Sequence, residues 1–218
     1  LDLKHTKVSL EKNNFLKNLR VLINYHDAPI YTITYYSQWL LMKVISQSGY
    51  KVSISGTGAD ELFSGYYDHH NAYLAYTYKL NNLKYKSSLD EWEKRVKPIV
   101  RNPYLKDPRY FIDNPNCREH IFLDSEKFAK YLIEPFNEPF HEKKYTKELL
   151  RNRMANELFE ESVPVILHED DLNSMFFSVE NRTPFLDKNL FDWCQSIPTI
   201  HLVKHGKAKS VLRDSVRG

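Results

Sequence analysis

Two cysteines in 218 residues, Cys117 and Cys194, are too few for a disulfide framework and fit a reducing compartment. No apolar run approaches the roughly 20 residues of a membrane-spanning helix. No block of lysine and arginine stands out, and a formal net charge of +3 is too small to argue for nucleic acid. The opening LDLKHTKVSL has neither the apolar core of a signal peptide nor a starting Met, and the missing Met is a first sign of a longer parent. Internal repeats and low-complexity segments are absent too. What remains is 42% hydrophobic and 27% charged, a composition that suits one cytoplasmic domain, or a domain with a lobe, built on a real core.

The densest chemistry lies in KVSISGTGADELFSGYY, residues 51–67. Val52, Ser53 and Ile54 suit a short strand, and Gly56 and Gly58 let the backbone turn or approach a ligand. Asp60 and Glu61 then open a helical run expected to pass Tyr73. A strand, a glycine-bearing turn and a helix start aim backbone N–H groups at a bound anion. Two carboxylates there suit the helix dipole but repel a phosphate, a tension that Mg²⁺ on a nucleotide would relieve. On spacing alone, a tight turn with Asp60 capping a helix explains the same residues.

Apolar spacing predicts a helix over 11–25, broken at Asp27-Ala28-Pro29. A second is expected over 36–47, with Leu40, Leu41, Val44 and Ile45 inward and Gly49 as its stop. His69 and His70, about 100° apart on a helix, cannot share one metal ion and are read as surface or partly buried polar residues. Leu89 to Val96 looks helical. Pro98, Pro103, Pro108 and Pro115 mark a loop-rich connection in which Tyr104, Tyr110 and Phe111 serve packing. Further helices are expected over 126–133, interrupted at Pro135 and Pro139, and from a Thr146 cap to Ser162. Pro164 closes that section, and Val165 begins another short helix.

Residues 171–187, DLNSMFFSVENRTPFLD, set Glu180, Arg182 and Asp187 among apolar neighbours. Ionised groups in such company pair with each other or serve a ligand, and Glu180 with Arg182 satisfies either account. A helix over 188–197 turns Leu190, Phe191, Trp193 and Cys194 inward. In HGKAKSVLRDSVRG a helix from Ala208 would stack Lys209 over Arg213. Two cations on one face call for an anion, or form a solvated basic face.

Three stretches in this order resemble the synthetase domain of the glutamine-dependent asparagine synthetase family. SGTGADELFSGY at 55–66 is similar to its nucleotide motif, NSMFFSVENRTPFLD at 173–187 to its substrate motif, and GKAKSVLRD at 206–214 to its lysine-bearing helix. Asp27-Ala28-Pro29 is similar to its Asp-x-Pro turn. The likeness covers most of residues 15–218, with a divergent middle.

The resemblance implies an α/β fold of the adenine-nucleotide α-hydrolase type, a parallel sheet flanked by helices. The nucleotide-site part would span about 15–80 and a helical lobe about 81–218. It implies that ATP activates a carboxylate, aspartate or a related acid, as an acyl-adenylate with release of pyrophosphate, and that ammonia from a glutaminase domain forms the amide. By the same resemblance Ser55, Gly56 and Gly58 hold the nucleotide, Asp60 binds Mg²⁺, Glu180 and Arg182 orient the acceptor, and Lys209 neutralises charge on the phosphates. Partners implied are small molecules and the glutaminase domain, with no nucleic acid or membrane, and a homodimer is kept open.

Two departures shape the expectation. Thr57 stands where asparagine synthetases usually carry a Glu thought to deprotonate the incoming ammonium, so sugar acids of surface polysaccharide, or an internal amine closing a β-lactam, join aspartate as alternatives. The Ser-Gly-Gly-x-Asp-Ser pyrophosphate loop and the glutaminase domain are not among these residues. The chain is therefore expected to be a predominantly helical fragment that lacks the leading strands and is inactive alone. A non-catalytic relative that keeps the fold as a binding module is the rival.

Overall fold

The computed structural model describes residues 5–10, 14–134 and 141–217. The described chain is 58% helical around one two-stranded parallel sheet, compatible with part of an α/β domain. In order come α1 (Phe15–His26), α2 (Ile33–Gln47), β1 (Val52–Ile54), α3 (Ala59–Phe63), α4 (Tyr67–Leu80), α5 (Asn82–Arg95), α6 (Tyr110–Asp113) and α7 (Ser125–Ala129). There follow α8 (Leu149–Phe159), α9 (Ser162–Met175), β2 (Glu180–Arg182), α10 (Lys188–Ser196) and α11 (Ser210–Ser215). The chain divides into two compact units, residues 1–57 with 161–187, and residues 58–160 with 188–217. The division falls inside the glycine motif, and 161–187 belongs to the first unit. Among the described residues no helix is long and apolar enough to cross a membrane.

In the first unit, α1 ends where Asp27 turns left-handed (φ +52°), two residues before Pro29. Thr32 caps α2 by accepting from the Thr34 N–H at 3.3 Å, so the helix starts three residues before the expected position. Its inner face is Tyr36, Trp39 and Met42, not the expected aliphatic stripe, and Leu41 is exposed. Aromatic area decides this: the Trp39 ring packs against Phe176 and Phe177 at 5.3 and 5.2 Å. Large rings bury more apolar surface than the leucines competing with them. Gly49, at φ +86°, stops the helix as expected. The Gly49 N–H donates to the Ser46 carbonyl and the Tyr50 N–H to the Ile45 carbonyl, closing a Schellman turn.

Pro164 does not end a section; it lies in the first turn of α9. There its missing N–H would have no intrahelical acceptor, so the helix runs unbroken to Met175 and packs on α2. Beyond it β2 pairs parallel to β1, with Val52 opposite Glu180 and Ile54 opposite Arg182.

In the second unit the run opened by Asp60 stops at Phe63 instead of passing Tyr73. Ser64 is left-handed (φ +67°), and α4 starts afresh at Tyr67. Asn81 accepts from the Lys84 N–H at 2.7 Å, which starts α5 at Asn82, seven residues before Leu89. Leu74, Trp92, Leu105, Phe111, Leu150, Met154 and Leu202 form the core. Over 98–118 only a 3₁₀ turn (Tyr104–Lys106) and α6 form, with Tyr110 and Phe111 packed inward as expected and Tyr104 partly exposed. α7 ends at Ala129, short of 133, and Pro135 and Pro139 lie outside the described residues. Thr146 closes the turn before α8 by accepting from the Glu148 N–H. On α10 Cys194 is fully buried, which pushes its thiol up to about 11, whereas Trp193 is half exposed rather than inward.

His69 and His70 are buried, contrary to expectation, because α4 is covered on several sides by α5, α6 and α8. Burial first, and the nearby His69 charge second, push His70 down to about 4. A histidine with a depressed native pKa contributes stability above its unfolded value of 6.5, and that stability is lost as pH falls from 6.5 toward 4. Wild type is therefore expected to lose about 1 kcal/mol per pH unit more than His70→Gln between roughly pH 6 and 4.5. Urea denaturation across that range measures the difference; parallel pH profiles would count against a neutral buried His70.

Candidate functional site

The sheet of the first unit brings two motifs together that are more than a hundred residues apart. The Ser55 N–H donates to the Arg182 carbonyl at 2.9 Å, directly continuing the β1–β2 ladder. Beside it the Ser53 hydroxyl donates to Asn181 Oδ1 at 2.6 Å. The Ser55 hydroxyl donates to Thr57 Oγ1 at 3.1 Å, and the Thr57 hydroxyl donates to Asp170 Oδ2 at 3.3 Å. Gln38 donates to the other carboxylate oxygen, and Asn181 Nδ2 reaches Asp170 Oδ2 at 3.4 Å. Burial raises the Asp170 pKa, and the hydrogen bonds from Gln38 and Thr57 only partly offset it.

Glu180 and Arg182 stand two residues apart on β2, hence on the same face. They pair at 2.9 Å (Oε1 to Nε), each more than half exposed. The pair lowers the Glu180 pKa and raises that of Arg182. An exposed pair of this kind is worth little, so both side chains can exchange partners at low cost. The two glycines differ. Gly58, at φ +93°, is required by the turn into α3, whereas a Cβ at Gly56 would meet open space.

In the second unit both carboxylates at the start of α3 have partners from the protein itself. Glu61 is buried and accepts from the Tyr66 hydroxyl at 2.5 Å. Asp60 Oδ1 lies 2.8 Å from Lys209 Nζ, both side chains about one-third exposed. Lys209 is not on a helix stacked over Arg213. It is the left-handed residue (φ +55°) before α11, its N–H donates to the Phe63 carbonyl at 3.1 Å, and Arg213 Nε donates to the Ala208 carbonyl. The strained backbone turns the ammonium toward α3 instead of along α11.

Gly65 makes room for this pair: a Cβ there would sit 1.5 Å from Asp60 Oδ1 and 2.6 Å from Lys209 Cε. Gly65→Ala is thus expected to expel the Asp60 carboxylate from its pair with Lys209 and to cut any activity that uses Asp60 at least tenfold, while the melting temperature falls by only a few degrees. Steady-state kinetics alongside thermal melts check this, and an active, equally stable variant would remove Asp60 from the site.

Asp68, His69 and Glu157 converge within 4.8 Å, a spacing that a metal ion could bridge. Arg153 already fills that role: Nη2 lies 3.0 Å from Glu157, Nε 3.5 Å from Asp68 and Nη1 3.0 Å from Glu142. Burial pushes the Glu157 pKa up to about 7, and against burial the carboxylates of Glu157 and Asp68 raise that of His69. His69 Nε2 and Glu157 Oε2 lie 2.5 Å apart, a buried hydrogen-bonded pair. With a guanidinium already among these carboxylates, the group is a buried structural ion cluster in which a dication would meet a resident positive charge.

Of the expected site residues, Ser55, Gly56, Glu180 and Arg182 lie in the first unit, and Gly58, Asp60 and Lys209 in the second. Within each unit the structure brings together Ser55 with Arg182, and Asp60 with Lys209. Asp170, Asn181 and Gln38 escaped the sequence reading. The signal available was the polar run His168–Asp171, four such residues in a row on a helix that also buries apolar ones.

The family model for asparagine synthase matches residues 1–218, the whole chain. No curated protein and no solved structure matches it. The family match spans both units and every stretch that carries the candidate chemistry, and this chain belongs to the asparagine synthase family.

Proposed function

We propose that this chain is the synthetase part of an ATP-dependent, amide-forming ligase, of the adenine-nucleotide α-hydrolase type of fold. It activates a carboxylate as an acyl-adenylate and passes the acyl group to ammonia supplied by a glutaminase domain in the same cytoplasmic protein. The observation that carries the proposal is the hydrogen-bonded alignment of β1 with β2, which sets Ser55 of the glycine motif against Arg182 of the acid motif. Adenylation needs a nucleotide and a carboxylic acid side by side, and this alignment joins the two stretches suited to them.

Asp60, an accessible carboxylate, fits Mg²⁺ on the phosphates once Lys209 turns from it to the phosphates, and Ser55, Gly56 and Gly58 fit the nucleotide. Bound there, the ion would neutralise phosphate charge. Lys209 presents an ammonium to the charge that builds as pyrophosphate departs. Glu180 and Arg182 trade their weak mutual pair for the amine and carboxylate of the acceptor.

Thr57 favours a second choice of acceptor. Its hydroxyl is held by Asp170 and cannot serve as the base that a Glu would provide, so a sugar acid of surface polysaccharide is as good a substrate as aspartate. ATP–pyrophosphate exchange by the full-length protein, screened over aspartate, glutamate and uronic acids, tests both statements. Exchange dependent on one acid is expected; exchange with none of them would favour a non-catalytic binding module.

A further inference from the structure

A cavity of about 570 Å³ opens within the second unit between α4, α5 and the segment 200–214. Neither Asp60, Gly65 nor Lys209 lines it, so it is separate from the candidate nucleotide residues. Its size lies within the range of small-molecule sites, which are mostly apolar with a few convergent polar groups. The floor fits that description: Tyr73, Leu74, Trp92 and Val203 are all buried members of the core.

The rim carries two lysines and two imidazoles. Lys84, His201, Lys204 and His205 stand around the mouth, with Ser87 and Ser88 on the α5 wall. The two acids among the lining residues are already engaged, Asp214 with Lys204 at 3.1 Å and Glu91 with Arg95 at 3.1 Å. Lys84 has no carboxylate within 4.0 Å among the described residues and is the rim's unspent charge. His70, kept neutral by burial, adds a ring nitrogen to the inner wall. Gly206 fixes the mouth: at φ +66° it approaches α5 so closely that a Cβ would lie 2.8 Å from the Glu91 carbonyl oxygen. The segment that forms half of the rim is thus clamped onto the helix that forms the other half.

We infer that this cavity is a binding site for a small amphipathic anion, an aromatic or aliphatic body on the Tyr73–Trp92 floor with a phosphate or carboxylate held by Lys84 and the rim imidazoles. The inference does not depend on the proposed ligase activity, because it uses no residue of that site. It has a consequence for Lys209 all the same: the clamped segment 203–208 leads straight into it, so a ligand here bears on the backbone that aims the ammonium at Asp60.

Phenyl phosphate carries both parts of this chemistry, and inorganic phosphate and phenol carry one each. Titration calorimetry on the protein should show phenyl phosphate binding with a Kd of about 1 mM or below, and each half at least about tenfold weaker. Lys84→Glu, an exposed substitution with no folding cost, should weaken binding about tenfold or more, and Ser88→Trp, which fills the cavity, should abolish it. Lys209→Met should leave it intact. Absence of binding at about 10 mM would overturn the inference. So would binding indifferent to Lys84→Glu, or binding lost in Lys209→Met, which would assign the ligand to the nucleotide residues.

Discussion

Arg153→Met is expected to destabilise the protein by about 3–5 kcal/mol, the largest effect of any single substitution considered. The guanidinium is 2% exposed and is shared by Glu142, Glu157 and Asp68, which come from three separate segments. Against burial, His69, His120 and Arg153 hold the Asp68 carboxyl far below its usual range, so it stays charged at any pH of interest. Removing Arg153 leaves that charge with histidines alone, and leaves Glu142 with Arg118 as its remaining cation. An uncompensated buried carboxylate is the costly event, more than the loss of the pair itself. The melting temperature should fall by roughly 10 °C, at about 2–4 °C per kcal/mol for a chain of this length. Arg153→Met with Glu157→Gln should recover part of that loss, because one of the stranded carboxylates is then neutral. Thermal melts of the two variants decide the matter, and a drop below about 1 kcal/mol for the single substitution would show that water reaches the cluster.

Lys209→Met is expected to lower the rate of adenylate formation by about 10²–10³ while changing the KM for ATP by less than about threefold. In the proposed reaction the cation would meet charge that grows as pyrophosphate leaves, which makes its contribution larger in the transition state than in the bound ground state. Its pairing with Asp60 at 2.8 Å is partly exposed and worth about 1 kcal/mol or less to the fold, so the variant should remain folded. Lys209→Arg keeps the charge but, with its wider fork, meets the close wall around Gly65 and should recover only part of the rate. A raised KM with an unchanged kcat would make Lys209 a ground-state binding residue instead.

Much of the chemistry was legible without coordinates, for identifiable reasons. Gly58, Gly49 and Pro29 announced turns because backbone sterics are local. The motif residues Ser55, Asp60, Glu180, Arg182 and Lys209 declared themselves by residue type and order, and the family match bears out the resemblance they carry. Helix boundaries were less legible. Ser64 takes a left-handed turn that serine rarely adopts, and it does so where Gly65 yields its space to Asp60 and Lys209. Pro164 reads as a breaker and is harmless in a first turn. On α2 the spacing pointed to the aliphatic stripe, and Phe176 and Phe177, far along the chain, drew Trp39 inward instead.

The sequence by itself determined that this is a helix-rich member of the asparagine synthase family with carboxylates, cations and glycines at stated positions, because family membership and turn chemistry reside in residue order. Only the tertiary structure decided that Ser55 lies against Arg182, that Asp60 holds Lys209, that Asp170 sits behind Thr57 and that Arg153 gathers the buried carboxylates of Asp68 and Glu157 with the half-buried one of Glu142. Apart from the contacts of Arg153 with Glu142 and Glu157, these pairings join segments many dozens of residues apart. Their energies depend on which groups lose water together, a property of the folded surface that no local spacing encodes.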